Sequence, residues 1–154
     1  MNIYLAASWS RRDEMRALTA ELEREIPGLK VSSQWVTEPT GLAGELRFLS
    51  RKMNASRRAR AIQDRENIYR SDILVRFTDD LSAKMVPSHL ATGSRMGEMM
   101  VALERSIPVI VVGGKQCIFD YLPEVQHVKN VAALKRHLRQ CQKLQNVQTY
   151  GKEF

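Results

Sequence analysis

The chain lacks the features that mark metal sites, disulfide-stabilised domains and membrane proteins. Its two cysteines, Cys117 and Cys141, follow no metal-binding or redox spacing, and we interpret them as free thiols of a reducing compartment. No apolar run is long enough for a signal peptide or a membrane span. The glycine-rich G-x-G-x-x-G turn of dinucleotide-binding proteins is also absent. We therefore expect a cytoplasmic protein with no membrane contact, metal or cofactor.

The remaining composition is typical of one globular domain. Of the 154 residues, 44% are hydrophobic and 27% are charged, which suits a single core and leaves little room for a second domain. We assign residues 1–144 to this domain and residues 145–154 to a polar C-terminal tail.

Apolar segments alternate with helical patterns along the chain. Strands are predicted at 3–7, 29–35, 73–77 and 107–112, with a short edge strand at 125–128. Helices are predicted at 11–25, 55–70 and 131–144, and another begins close to Glu98. The segment 37–53 is expected to be irregular and either to be mobile or to act as a lid, and residues 42–48 could form a short helix. This order predicts an α/β fold with one doubly wound, mostly parallel five-stranded sheet flanked by helices, flavodoxin-like or Rossmann-like.

A carboxylate stands where a loop of small residues turns into a helix. The run TGSRMGE at 92–98 ends in Glu98 and lies between two predicted strands. In open parallel sheets, ligands bind beyond the carboxyl ends of the strands, against the first turns of the following helices. There the helix dipole would keep Glu98 ionised as a nucleophile, and Gly97 would leave room for a substrate. The alternative is that Glu98 only complements the dipole of a surface helix.

A second carboxylate interrupts an apolar helix face. Ala61 and Ile68 lie one turn to either side of Asp64. Asp64 either forms an ordinary helical ion pair with Arg60 or joins Glu98 in one site. Two carboxylates with separate roles are what glycosyl transfer uses.

Two segments suit anionic ligands. The net charge of +7 is concentrated between Arg47 and Arg70, a segment that contains eight Lys and Arg residues and only two acidic residues. Such a patch serves nucleic acid, an anionic nucleotide or solubility. The loop after the first strand, Ala7 to Arg11, offers hydroxyls, helix N–H groups and a guanidinium to a nucleotide or sugar phosphate, although the same residues are also common as helix caps.

Taken in order, these segments resemble the nucleoside 2-deoxyribosyltransferase superfamily, which includes the 2'-deoxynucleoside 5'-phosphate N-hydrolases. The resemblance spans most of the chain. It rests on the opening strand, on the interval between Asp64 and Asp72, and on the run from Gly93 to Glu98 that leads to Pro108. The sequence FDYLP at 119–123 makes the chain more similar to a poorly characterised bacterial and phage branch.

The resemblance implies an enzyme that cleaves or exchanges an N-glycosidic bond. Glu98 would attack C1' of a 2-deoxyribosyl group, Tyr4 would orient Glu98, and Asp64 would assist departure of the base. Thr92 stands where the transferases carry an acid and the nucleotide hydrolases a hydroxyl, which implies a 5'-phosphorylated substrate. The residues implied in substrate binding are Ala7, Ser8, Trp9, Ser10, Arg11, Thr92, Gly93, Ser94 and Arg95. A homo-oligomer is also implied, in which Tyr150 or Phe154 completes a neighbour's site.

Two other functions stay open at this point. The same pocket could hold a nucleotide without turnover, as a sensor or sequestering module. A nucleic-acid-binding role for the basic patch ranks last, because only Phe48 and Tyr69 are available there to stack on bases.

Overall fold

A computed structural model describes residues 1–37, 51–78 and 93–150 of the chain. Within them, one sheet contains β1 (Asn2–Ala6), β2 (Lys30–Val31), β3 (Ile73–Phe77), β4 (Val109–Val112) and β5 (Val125–Val128). The strand order is β2-β1-β3-β4-β5, and every neighbouring pair is parallel. The predicted five-stranded α/β fold is confirmed, and its sheet is wholly rather than mostly parallel.

The described helices cover both faces of this sheet. They are α1 (Arg12–Glu25), α2 (Arg51–Tyr69), α3 (Gly93–Glu104) and α4 (Val131–Tyr150). Ion pairs from Lys135 to Glu21 and Glu25 join α4 to α1, whereas α2 packs against α3. The chain moves one way across the sheet from β1 to β2 and the other way from β2 to β5, so right-handed crossovers place α1 on one face and α2 and α3 on the other. The ion pairs with α1 place α4 on the face of α1. No described helix combines the length and the apolar character that a membrane span requires.

The central strands form the core and define where a ligand can bind. Ile3 to Ala6 of β1, Leu74 and Val75 of β3, and all of β4 are buried. The connections from β1 and β3 leave in opposite directions, so the carboxyl ends of these two strands form a topological switch point. Open parallel sheets bind their ligands there.

The second strand is much shorter than predicted. Only Lys30–Val31 pair with β1, and the chain then forms a 3-10 turn at Gln34–Val36. Ser33 Oγ accepts a hydrogen bond from the Leu5 N–H, and Trp35 Nε1 donates to the Leu5 carbonyl at 2.9 Å. Side chains thus satisfy the β1 backbone where the alternating pattern predicted a strand.

Helix boundaries also differ from the sequence prediction. The first helix begins at Arg12 after a 3-10 turn at Trp9–Arg11, α2 begins at Arg51, and α4 continues to Tyr150, into the predicted tail. Most of the irregular segment predicted at 37–53, with its short helix at 42–48, lies outside the described residues, and so does Phe154. The division between domain and tail stays a prediction.

Candidate active site

Glu98 lies in the second turn of α3 rather than at its start, because the helix begins at Gly93. The expectation that the helix N-terminus keeps this carboxylate ionised is therefore wrong. The side chain is partly buried, and loss of solvent around it raises the pKa of Glu98 from its ordinary 4.5 to about 8. Glu98 is consequently protonated in most molecules at neutral pH.

The hydroxyl of Tyr4 forms a hydrogen bond with the carboxyl group of Glu98. Tyr4 is in the middle of β1 with 0% exposure, and its hydroxyl donates to Glu98 Oε1 at 2.9 Å. Burial, together with the nearby charges of Glu98 and Asp64, raises the pKa of Tyr4 far above its ordinary 10.0, so the phenol keeps its proton. Its hydrogen bond opposes the effect of burial on the pKa of Glu98.

Asp64 shares this environment from the opposite helix. It is partly buried on α2, and its Oδ1 is a buried atom without a hydrogen-bond partner among the described residues. Burial raises the pKa of Asp64, whereas the charge of Arg60 and a hydrogen bond with the Tyr4 side chain lower it. Asp64 thus has Arg60 as an electrostatic neighbour and lines the same cavity as Glu98, and its catalytic role stays a prediction.

A cavity of about 500 Å³ lies between α2 and α3, and the two carboxylates face it. Gly97 and Val101 of α3 and Ile68 of α2 form part of its wall. Three arginines of α2 also line it, namely Arg58, Arg60 and Arg65. This volume is within the range of small-molecule sites, and the combination of apolar wall and convergent charged groups is typical of them.

Gly97 is expected to be dispensable for the fold. A Cβ built at Gly97 meets no atom within 4 Å, and its φ is not positive. Gly97→Ala should therefore raise the free energy of unfolding by about 0.5–1 kcal/mol, because alanine restricts the unfolded chain. Urea denaturation measures this gain. Gly28→Ala is the matched control and should destabilise, since φ at Gly28 is 80°. A loss of stability in Gly97→Ala would mean that a side chain at position 97 collides with neighbouring atoms.

The loop after β1 makes its polar contacts within the protein. The Ser8 and Ser10 hydroxyls are 2.8 Å apart, and the Trp9 ring lies 6.1 Å from that of Trp35. Arg11 pairs with Glu14 and donates to the Thr78 carbonyl at 3.0 Å. Ala7, partly buried, follows β1 directly. The loop lies at the switch point as expected, but the described residues that line the cavity belong to α2 and α3.

The remaining predicted binding residues stand at the start of α3. Arg95 is 1% exposed, and its Nη1 donates to the Phe77 carbonyl at 3.1 Å, which ties α3 to the end of β3. Gly93 and Ser94 form the first turn of this helix, and Thr92 lies outside the described residues. A substrate-binding role for these residues stays a prediction.

A buried ion pair beside the site was missed by the sequence analysis. Arg76 and Asp120 are both almost fully buried and in direct contact. Asp120 also accepts hydrogen bonds from the backbone N–H groups of Gln116 and Cys117 at 2.7 and 3.1 Å. Arg76 pairs with Ala6 across β1 and β3, so it faces the same side of the sheet as Tyr4. The only sequence signal was a charged residue inside the apolar run of β3.

No family model and no curated protein matches this chain in sequence. Two solved structures are nevertheless similar to it over most of their length. A CMP N-glycosidase from Clostridium botulinum has 14% identity and a TM-score of 0.55, and the match covers 90% of this chain and 98% of that one. A 2-deoxyribosyltransferase from Bacillus psychrosaccharolyticus has 14% identity and a TM-score of 0.56, with 90% of each chain covered. The chain therefore shares its fold with these two proteins, and this is the fold that the sequence resemblance implied.

Proposed function

We propose that the protein cleaves or exchanges the N-glycosidic bond of a 2'-deoxynucleotide or deoxynucleoside, with 5'-monophosphates preferred. The observation that carries this proposal is the hydrogen bond from Tyr4 to Glu98, with Asp64 facing the same cavity. The fold is shared with an N-glycosidase and a deoxyribosyltransferase, which supports the same class of reaction here. Phosphate preference is supported by the three arginines that line the cavity.

In the proposed reaction the ionised form of Glu98, which has already lost its proton to solvent and becomes more abundant as pH rises toward 8, acts as the nucleophile. Tyr4 holds Oε1, which leaves Oε2 to attack C1' of the sugar. The C1'–N bond breaks as the C1'–O bond forms, and the electron pair of the broken bond stays on the base nitrogen. Asp64, whose pKa is raised by burial, acts as the general acid and supplies the proton for the departing base.

The second step releases the sugar from Glu98. Water or a second base attacks C1', the ester bond to Glu98 breaks, and the carboxylate is regenerated. Asp64 now takes the proton of the attacking group, so each cycle returns both carboxylates to their starting state. Tyr4 keeps its hydrogen bond to Glu98 and acts as a positioning residue.

Removal of the Tyr4 hydroxyl should affect both rate and pH dependence. In Tyr4→Phe, Glu98 loses the hydrogen bond that lowers its pKa, so the ascending limb of kcat/KM, expected near pH 8 in the wild type, should move to higher pH. The maximal rate should fall about 10- to 100-fold, as expected for one hydrogen bond to a charged group. Tyr121→Phe, an exposed tyrosine, is the control. If the ascending limb of kcat/KM lies at the same pH in Tyr4→Phe and in the wild type, Tyr4 does not position Glu98.

The proposed function is tested by release of free base. The substrates are the four 2'-deoxynucleoside 5'-monophosphates, the matching deoxynucleosides and their ribose counterparts, each with wild-type protein and Glu98→Gln. Release by wild type alone supports the proposal and shows whether the phosphate is required. No release by folded protein would overturn it. Saturable binding without release would then favour the nucleotide-binding module.

We further propose a homo-oligomer in which Tyr150 or Phe154 completes a neighbouring site. Tyr150 is the last residue of α4 in the structure. Light scattering coupled to size-exclusion chromatography measures the assembly, and a strict monomer would contradict it.

A further inference from the structure

The cavity between α2 and α3 carries more positive charge than an uncharged nucleoside requires. Arg58, Arg60 and Arg65 line it, against the two carboxylates Asp64 and Glu98. The three arginine charges exceed the charge of the two carboxylates even when both carboxylates are ionised. A cavity of this kind favours a ligand that brings negative charge of its own.

These charges are not evenly distributed along α2. This helix leads into β3, so it runs antiparallel to the strands, and its earlier residues lie nearer the carboxyl ends of the sheet. Arg58 precedes Asp64 by six residues, or about 9 Å along the helix axis. Arg60 precedes Asp64 by about one turn. Arg58 and Arg60 therefore stand nearer the switch point than Asp64 does, whereas Arg65 stands level with Asp64.

An anionic group of a ligand must avoid the carboxylate end. Beside Glu98 it would repel the ionised nucleophile and raise the pKa of that group further. At Arg58 it would have a guanidinium partner and stand about 9 Å from Asp64 along the helix axis. The sugar would then lie between the two ends.

Other guanidiniums near the switch point already serve the protein itself. Arg11 contacts Glu14 and the Thr78 carbonyl, and the buried Arg95 donates to the Phe77 carbonyl. Arg58, by contrast, is exposed at the cavity. The α2 arginines are thus better placed than the first loop to meet a ligand in this cavity.

We infer that Arg58, assisted by Arg60, forms an anion subsite that binds the 5'-phosphate of a nucleotide whose C1' lies at Glu98. The identity of the sugar and the placement of C1' rest on the proposed function. The recognition of a phosphate by Arg58 does not, because it depends only on the charges of the cavity. Arg60 also lowers the pKa of Asp64, so Arg58 is the cleaner position for a test.

The test compares ligands with and without a phosphate, by calorimetry in the Glu98→Gln background so that no ligand is consumed. The ligands are the four 2'-deoxynucleoside 5'-monophosphates and the matching deoxynucleosides. Arg58→Gln should weaken monophosphate binding about 10- to 100-fold, the effect of one charge-assisted hydrogen bond, and leave nucleoside binding within about twofold. Inorganic phosphate should compete with the monophosphates when Arg58 is present and lose this effect in Arg58→Gln.

Two further arginines serve as matched controls. Arg65→Gln removes a charge from the same cavity, level with Asp64, and should change the preference for phosphate less than Arg58→Gln. Arg70→Gln removes an exposed charge just beyond α2, outside the cavity, and should change the binding of neither the monophosphates nor the nucleosides. If Arg58→Gln and Arg65→Gln weaken monophosphate binding equally, the cavity attracts anions in general and the proposed subsite at Arg58 is wrong.

The outcomes separate the subsite from the proposed function. If Arg58→Gln weakens both ligands equally, or neither, the subsite is wrong whatever the turnover of the wild type. If binding depends on Arg58 and on the phosphate but wild type releases no base, the subsite holds and the proposed N-glycosidase activity fails.

Discussion

Glu98→Gln should lower base release by at least about 1000-fold, because glutamine cannot form the bond to C1' and is not regenerated as a carboxylate leaving group. The side chain keeps its shape and its contact with Tyr4, so the variant should remain folded and still bind ligand. Base release under single-turnover conditions measures the loss. A variant with near wild-type turnover would exclude Glu98 as the nucleophile.

The same substitution should stabilise the protein at alkaline pH. The pKa of Glu98 is about 8 in the folded state and close to its ordinary 4.5 in the unfolded chain. The folded state therefore binds this proton more tightly, and its stability falls as pH rises between those two values. Glutamine has no proton to lose, so the variant should gain about 1–3 kcal/mol over wild type at pH 9 and little at pH 4.

Urea denaturation at both pH values measures this gain. Glu104→Gln, an exposed carboxylate on the same helix, is the control and should give no comparable gain between the two pH values. If Glu98→Gln also shows no such gain, burial does not suppress ionisation of Glu98. A gain in stability together with lost turnover would show that the site retains a destabilising group for its chemistry.

Breaking the buried pair of Arg76 and Asp120 should have the largest effect on stability. Asp120→Leu leaves the guanidinium of Arg76 buried without its counter-charge, which costs about 3–5 kcal/mol. The variant also removes the acceptor for the N–H groups of Gln116 and Cys117. The double variant Arg76→Met with Asp120→Leu should recover much of the loss, because no buried charge then remains.

Chemical denaturation of the wild type, Asp120→Leu, Arg76→Met and the double variant provides the measurement. Arg139→Ala, which removes a partly exposed pair with Glu25, should cost less than about 1 kcal/mol and is the control. If the double variant is no more stable than Asp120→Leu, the cost comes from the lost backbone hydrogen bonds rather than from the unpaired charge.

The pair should also contribute to stability in acid. Burial works against ionisation of Asp120, but the Gln116 N–H and the charge of Arg76 hold its pKa below the ordinary 3.8. Asp120 therefore contributes stability above that pH, and this contribution is lost as pH falls through the lower pKa of the folded state.

Local patterns predicted some elements well and others poorly. β3 and β5 were predicted at their observed bounds, because β3 is a mostly apolar run and β5 follows the break at Pro123. The second strand was predicted too long, since alternation alone cannot show that Ser33 and Trp35 bond to the β1 backbone. The start of α3 was also misjudged, and with it the ionisation of Glu98.

The sequence by itself determined the α/β class and the order of strands and helices, and it offered Glu98 and Asp64 as candidate carboxylates. These follow from short-range periodicity and from residue types that the chain carries wherever it folds. Only the tertiary structure decided the protonation of Glu98, the cavity with its arginines, and the partner of Arg76. Those properties depend on solvent exclusion and on contacts between distant segments, such as the 94 residues that separate Tyr4 from Glu98.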